Sequence, residues 1–152
     1  MNRHLSRVIV MQTLYEWDFR PKSDVESVKK RNIENYQEDA DPDYIQSTIE
    51  GVQQYQEEID AEIAKAAPEW PLEQIASIDK TILRIAIFEI LYSDDVPPKV
   101  AINEAVELGK TFGGANSSKF INGVLGTVYR GSAKYDPKED VRPGKKEEDA
   151  GE

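Results

Sequence analysis

The sequence predicts an all-α protein of about seven helices. Apolar residues recur at three- and four-residue intervals from the start of the chain to about residue 130, and no stretch keeps the strict alternation of a half-buried strand. Prolines and a glycine pair punctuate those runs, at Pro21, Pro42, Pro68, Pro71, Pro97-Pro98 and Gly113-Gly114, where helices start or stop. The run from Lys80 to Tyr92 is apolar nearly all round, which fits a central buried helix.

Taken in order, residues 2–19 form the first helix, with Leu5, Val8, Ile9, Met11, Leu14, Tyr15 and Trp17 on a broad apolar face. Ser23 or Asp24 caps a shorter, polar helix running to about Tyr36. Asp41-Pro42 is an Asx cap followed by proline at the first helical position. It starts the longest helix, which carries Ile45, Ile49, Val52, Ile59 and Ile63 and reaches about Ala67. Pro68 and Pro71 turn the chain around Trp70, and a short helix from Leu72 to Ser77 leads to Asp79, a good cap for Lys80–Tyr92. Val100 to Phe112 forms the next helix. Asn116 caps the last one, Ser117 to Arg130, with Phe120, Ile121, Val124, Leu125, Val128 and Tyr129 inward. Gly123 and Gly126 inside it each cost ~1 kcal/mol against alanine, and close helix–helix approach is the expected compensation. Residues 131–152 are polar and charged and are expected to form a disordered tail, leaving residues 1–130 as the folded domain.

At 152 residues there is room for one domain and no separate catalytic one. Cysteine is absent and His4 is the single histidine, so disulfides, thiol nucleophiles and His-rich zinc sites are excluded. No run approaches the ~20 apolar residues of a membrane span, and no secretory signal opens the sequence, so the cytoplasm is the expected compartment. Net charge is −10, which taken alone argues against binding nucleic acid. The charge is uneven, however: residues 1–22 and 96–130 each carry +2, whereas residues 23–95 carry −12. First and last helices brought together would give a small basic face on an acidic body.

Several motifs fail. Gly109-Lys110-Thr111 resembles the end of a phosphate-binding loop, but Glu104 stands where its first glycine is needed. Asp94-Asp95 lacks the ligand count of a calcium site, and Glu104 with Glu107 has no accompanying base or metal ligand. No nucleophile, base and orienting group occur together, so neither an enzyme nor a cofactor is expected.

Two segments remain. In Arg3-His4-Leu5-Ser6-Arg7 the two arginines are four apart on one helix face, and each offers a planar fork suited to phosphate. In Gly113-Gly114-Ala115-Asn116-Ser117-Ser118-Lys119-Phe120 a helix start supplies backbone donors and the positive end of its dipole, with Ser117 and Ser118 adding hydroxyls and Lys119 a charge. Asn116 caps without the negative charge of an aspartate, and Phe120 fits either the core or an edge for base stacking.

Met11-Gln12-Thr13-Leu14-Tyr15-Glu16-Trp17, Ile82-Leu83-Arg84-Ile85-Ala86-Ile87-Phe88-Glu89-Ile90, Val96-Pro97-Pro98-Lys99-Val100-Ala101-Ile102-Asn103-Glu104-Ala105-Val106-Glu107-Leu108-Gly109-Lys110 and Lys119-Phe120-Ile121-Asn122-Gly123-Val124-Leu125 together resemble the NusB family of bacterial transcription antitermination factors, in order over residues 3–130. The resemblance implies two packed three-helix bundles. It also implies binding of the single-stranded boxA element of nascent RNA together with NusE, the small-subunit ribosomal protein, in an RNA polymerase antitermination complex acting on ribosomal RNA operons. Carried over by position, RNA contacts fall on Arg3, His4 and Arg7 and on Asn116, Ser117, Ser118, Lys119 and Phe120, and partner contacts on Tyr15 and Asp79. Many members carry a denser arginine run at the start, so this chain is expected to bind RNA weakly alone and to rely on its partner's positive charge. On this expectation, exchanging Arg7 for glutamate weakens RNA binding and spares the partner complex. Two other readings compete: a protein–protein adaptor or homodimer that hides its basic face, and a domain serving a separate ribosomal RNA methyltransferase.

Overall fold

The fold is arranged around one helix, the most apolar in the chain. The structure is a computed structural model that describes residues 2–19, 25–34 and 39–139. Among these it shows seven α-helices and no strand: α1 (Arg3–Phe19), α2 (Val25–Glu34), α3 (Pro42–Gln54), α4 (Gln56–Ala66), α5 (Ser77–Tyr92), α6 (Pro98–Phe112) and α7 (Ser117–Arg130). Every residue of α5 from Thr81 to Ile90 is buried. Ile82, Leu83, Ile87 and Ile90 are closed off almost completely, each contributing ~1.5–3 kcal/mol by leaving water. Helices α1, α2 and α3 form one three-helix group and α5, α6 and α7 another, with α4 lying along α5 and α7. The groups share one core because α5 packs on α1 and α3 as well as on α6 and α7.

The expected helices are present, and their ends differ for physical reasons. The single helix expected from Pro42 to Ala67 turns at Tyr55, whose backbone (φ −105°, ψ 16°) separates α3 from α4. Tyr55 stacks flat on Tyr92 with ring centroids 4.1 Å apart. A change of axis there lets α3 pack on α1 and α5 while α4 packs on α5 and α7. The helix expected over 72–77 is only a 3-10 turn, Leu72–Gln74. Helix α5 begins at Ser77 because Ile75 and Ile78 both pack on the core and fix the chain's entry there. Asp79 is thus the third residue of α5, not its cap. Asn116 occupies the cap position of α7 without a side-chain cap bond; the Ser117 hydroxyl instead accepts the Gly114 N–H at 2.8 Å. Ser23, Asp24 and Tyr36 lie outside the described residues.

Gly123 and Gly126 do not mark a close approach. A Cβ on Gly123 would meet nothing within 4 Å, and one on Gly126 would meet only the Arg130 side chain. The close approaches lie elsewhere: a Cβ on Gly51 would fall 2.1 Å from the Phe88 ring, and one on Gly109 would fall 2.8 Å from Ile121. The chain also keeps packing beyond Gly131. Tyr135 sets its ring edge-on against Tyr129, the Asp136 N–H donates to the Tyr129 hydroxyl at 2.9 Å, and Lys134 reaches the Ser93 carbonyl. Residues 140–152 lie outside the described part.

Two substitutions should therefore move stability in opposite directions. Gly123→Ala, in an open helical position, is expected to stabilise the fold by up to ~1 kcal/mol. Gly51→Ala must displace Phe88 and is expected to cost ~1–3 kcal/mol. Urea denaturation of both variants checks the pair.

Candidate nucleic-acid interface

The start of α1 is stitched to the start of α3. Asn2 caps α1 by accepting the Leu5 N–H at 2.9 Å, and its own N–H donates to the Asp39 carbonyl at 2.6 Å. The Ser6 hydroxyl donates to the Asn2 carbonyl at 2.9 Å and accepts the Asp41 N–H at 2.8 Å, while Asp41 caps α3 through the Tyr44 N–H at 3.2 Å. The expected basic segment is thereby held against α3.

Within that segment the three basic side chains have different surroundings. Arg7 points inward: its Nε and Nη2 donate to the two oxygens of Glu89 at 3.0 and 2.8 Å, and the two side chains are only 4% and 2% exposed. The Tyr44 hydroxyl donates to the same carboxylate at 2.9 Å. Burial by itself would lower the Arg7 pKa, but the hydrogen bonds and charge of Glu89 outweigh it and raise it above the ordinary value. Burial, then the charge of Glu89, pushes the Tyr44 phenol far above its usual range, so Tyr44 remains a donor. Arg3 is partly exposed, with its guanidinium 4.4 Å from the centre of the Tyr44 ring and 3.5 Å from Asp41. His4 is exposed and its Nδ1 lies 2.9 Å from Glu104 on α6. Each basic group therefore faces an acid. The Arg3 and His4 pairs, being open to water, are worth ~0–1 kcal/mol and can yield to a phosphate; the Arg7 pair cannot be broken so cheaply.

The second expected segment sits elsewhere. Arg7 of α1 meets α5 at Glu89, whereas the start of α7 shares a cavity with Asp79, ten residues earlier on α5, a span of ~15 Å along that helix. At the start of α7, Asn116 and Lys119 are exposed, Ser118 is half-buried and Ser117 is buried with its hydroxyl engaged by Gly114. Phe120 is half-buried, and Trp70, half exposed, meets its ring edge-on at 6.3 Å. These rings, Ile75, Asn116, Ser117 and Asp79 line a cavity of about 340 Å³. Asp79 is only 7% exposed, yet its Oδ1 has no hydrogen-bond partner. The cavity thus combines an uncapped helix start, two aromatic rings and an unsatisfied carboxylate oxygen. It joins residues expected to touch RNA with one expected to touch the partner.

Tyr15, the other expected partner residue, is half-buried and packs edge-on against Phe19, itself 59% exposed. One turn along α1, Asp18 receives Arg84 at 3.1 Å and lies 3.9 Å from Lys80, which ties the segments carrying Tyr15 and Asp79 side by side. Arg84 is in turn clamped by Asp60 at 2.8 and 3.0 Å. Sequence reasoning missed Glu89, Tyr44, Asp41 and Glu104 as the partners of the basic segment. Glu89 did carry a signal, since a carboxylate inside the most apolar helix demands a buried cation. Among the described residues, no group of three histidines, cysteines or acids is placed to hold a metal, and no helix is long and apolar enough to cross a membrane.

The model of the NusB family matches residues 4–130. A transcription antitermination protein NusB of Dehalococcoides mccartyi (strain CBDB1) is 43% identical over 132 residues, covering 87% of this chain and 92% of that protein. A protein of the same name from Oceanobacillus iheyensis is 41% identical over 128 residues, covering 84% and 98%. Among solved structures, T. maritima NusB superimposes with a TM-score of 0.81 at 28% identity over 88% of this chain and 94% of that one. A chain from a crystal structure of the antitermination factors NusB and NusE in complex with double-stranded RNA shares the fold, with a TM-score of 0.75 at 23% identity over 84% and 96%.

The burial of Arg7 sets an expectation for stability. Arg7→Ala leaves Glu89 buried without its cation and should cost ~3–5 kcal/mol, whereas Arg3→Ala should cost under ~1 kcal/mol. Arg7→Glu would put two carboxylates together inside the protein, so it reads folding rather than RNA binding. Chemical denaturation of the alanine variants separates the two arginines.

Proposed function

This chain belongs to the NusB family, and on that premise we propose that it is a cytoplasmic transcription antitermination factor that binds boxA-type single-stranded RNA together with the ribosomal protein NusE. Arg3, His4, Asn116, Ser118, Lys119 and Phe120 contact the RNA, and Ser117 holds the start of α7 in shape. Arg7 serves the same surface from within, by fixing α1 on α5. Tyr15 and Asp79 meet the ribosomal protein, and the pair enters the RNA polymerase antitermination complex on ribosomal RNA operons. The role is one of binding and involves no reaction.

The observation that carries this reading is the start of α7. No side chain caps it, its cap residue is the neutral Asn116, and the exposed Lys119 precedes Phe120, whose ring meets Trp70 edge-on. Backbone donors and one free cation suit a phosphate, and aromatic edges suit an unpaired base, which is how single-stranded RNA is held. The acidity of residues 23–95 supports a basic protein partner, since that charge attracts a ribosomal protein and repels RNA lacking one.

Fluorescence anisotropy of a labelled boxA-type RNA, with and without NusE at low and moderate salt, tests the reading. Binding is expected to be weak alone, tighter with the partner, and salt-sensitive. Lys119→Ala should reduce the slope of log affinity on log salt by about 0.7 while leaving the protein complex intact. A stable protein complex that binds no RNA would reduce the chain to a protein-interaction module.

A further inference from the structure

We propose that Tyr44 is the positioning residue for the RNA contact made by Arg3, an inference that rests on the RNA-binding reading above. Three observations meet at this ring. Tyr44 is 6% exposed and lies in the first turn of α3, so its ring is a fixed floor rather than a surface group. Its hydroxyl is pinned by Glu89 on α5, and Glu89 is itself held by the fork of Arg7 on α1. Three helices therefore fix one ring. The guanidinium of Arg3, the one arginine of α1 that reaches solvent among the described residues, lies over that ring at 4.4 Å.

A guanidinium resting on an aromatic face keeps its edge N–H groups free, and those are the groups that grip a phosphate. Among the described residues, the one other hold on Arg3 is a long contact to Asp41 at 3.5 Å, which an incoming phosphate can replace. The ring limits the orientations of a long side chain before RNA arrives, so less freedom is lost on binding. The buried pair and the exposed contact thus meet at one ring: Arg7 holds Glu89, Glu89 accepts the Tyr44 hydroxyl, and the buried ring itself supports Arg3.

The test is a double-mutant cycle on RNA affinity, measured with the full chain and NusE. Tyr44→Leu should weaken binding roughly two- to fivefold, and should add nothing in an Arg3→Ala background. Tyr44→Phe keeps the ring and loses the Glu89 hydrogen bond, so it should retain near-full RNA affinity despite a lower melting temperature. A merely structural residue would give additive losses and no rescue by phenylalanine, and either result overturns the proposal. Should Tyr44→Leu fail to fold, NMR of the wild-type chain decides. Ring-current upfield shifts of the Arg3 side-chain protons are expected, and ordinary shifts overturn the inference. A wild-type complex that binds no RNA at all removes the parent reading, and this inference falls with it.

Discussion

The buried pair of Arg7 and Glu89 is the interaction on which the arrangement of the basic segment depends. It joins the first helix to the central one inside the core, with the Tyr44 hydroxyl as a third donor. A carboxylate placed in the most apolar helix is unfavourable by itself, because burying an unpaired charge costs far more than any nearby apolar contact returns. The charge is tolerated because a two-pronged partner and a phenol satisfy it. What the pair supplies is register: with Arg7 fixed on Glu89, the turn bearing Arg3 and His4 comes to rest against α3 and α6. A second clamp of the same kind, Arg84 with Asp60 and Asp18, holds the other end of α1 against α5.

These pairs also account for an acidic chain that presents two cationic places. The acids nearest the basic segment are committed to it: Asp41 to Arg3, Glu104 to His4 and Glu89 to Arg7. The start of α7 has no such counter-charge on Lys119, and its helix dipole is unopposed by an acidic cap. Charge-matched contacts near α1 and an open helix start near Asp79 are separate footholds on one central helix. An extended single strand, with a partner beside it, is the kind of ligand that can span both.

Much of the fold was legible because it follows from local physics. Apolar periodicity set the helices, and Pro42, Pro71, Pro97 and the Gly113-Gly114 pair set most of the boundaries. The turn at Tyr55 was not legible, because it depends on a stack with Tyr92, a residue 37 positions away. The start of α5 was misplaced because Asp79 has the look of a cap, while the packing of Ile75 and Ile78 decided the matter. Gly123 and Gly126 look like contact glycines in sequence, whereas the true close contacts, at Gly51 and Gly109, depend on which helix face meets a neighbour. In the candidate site, residue types and spacing identified both segments, but exposure could not be read from them. Arg3 and Arg7 are equivalent by spacing, and only the location of Glu89 makes one a surface group and the other a buried strut.

On the function proposed above, Arg7 supports the RNA surface from inside while Arg3, His4 and the start of α7 touch the RNA. NMR mapping of a boxA-type RNA onto the labelled chain, with NusE bound, tests it most directly. Perturbed signals are expected to gather at residues 2–4 and 114–120, while the Arg7 Nε–H stays protected from exchange, as a group bonded to Glu89 must be. An Arg7 Nε–H that loses protection and shifts with the RNA, with Glu89 left unpaired, would contradict it.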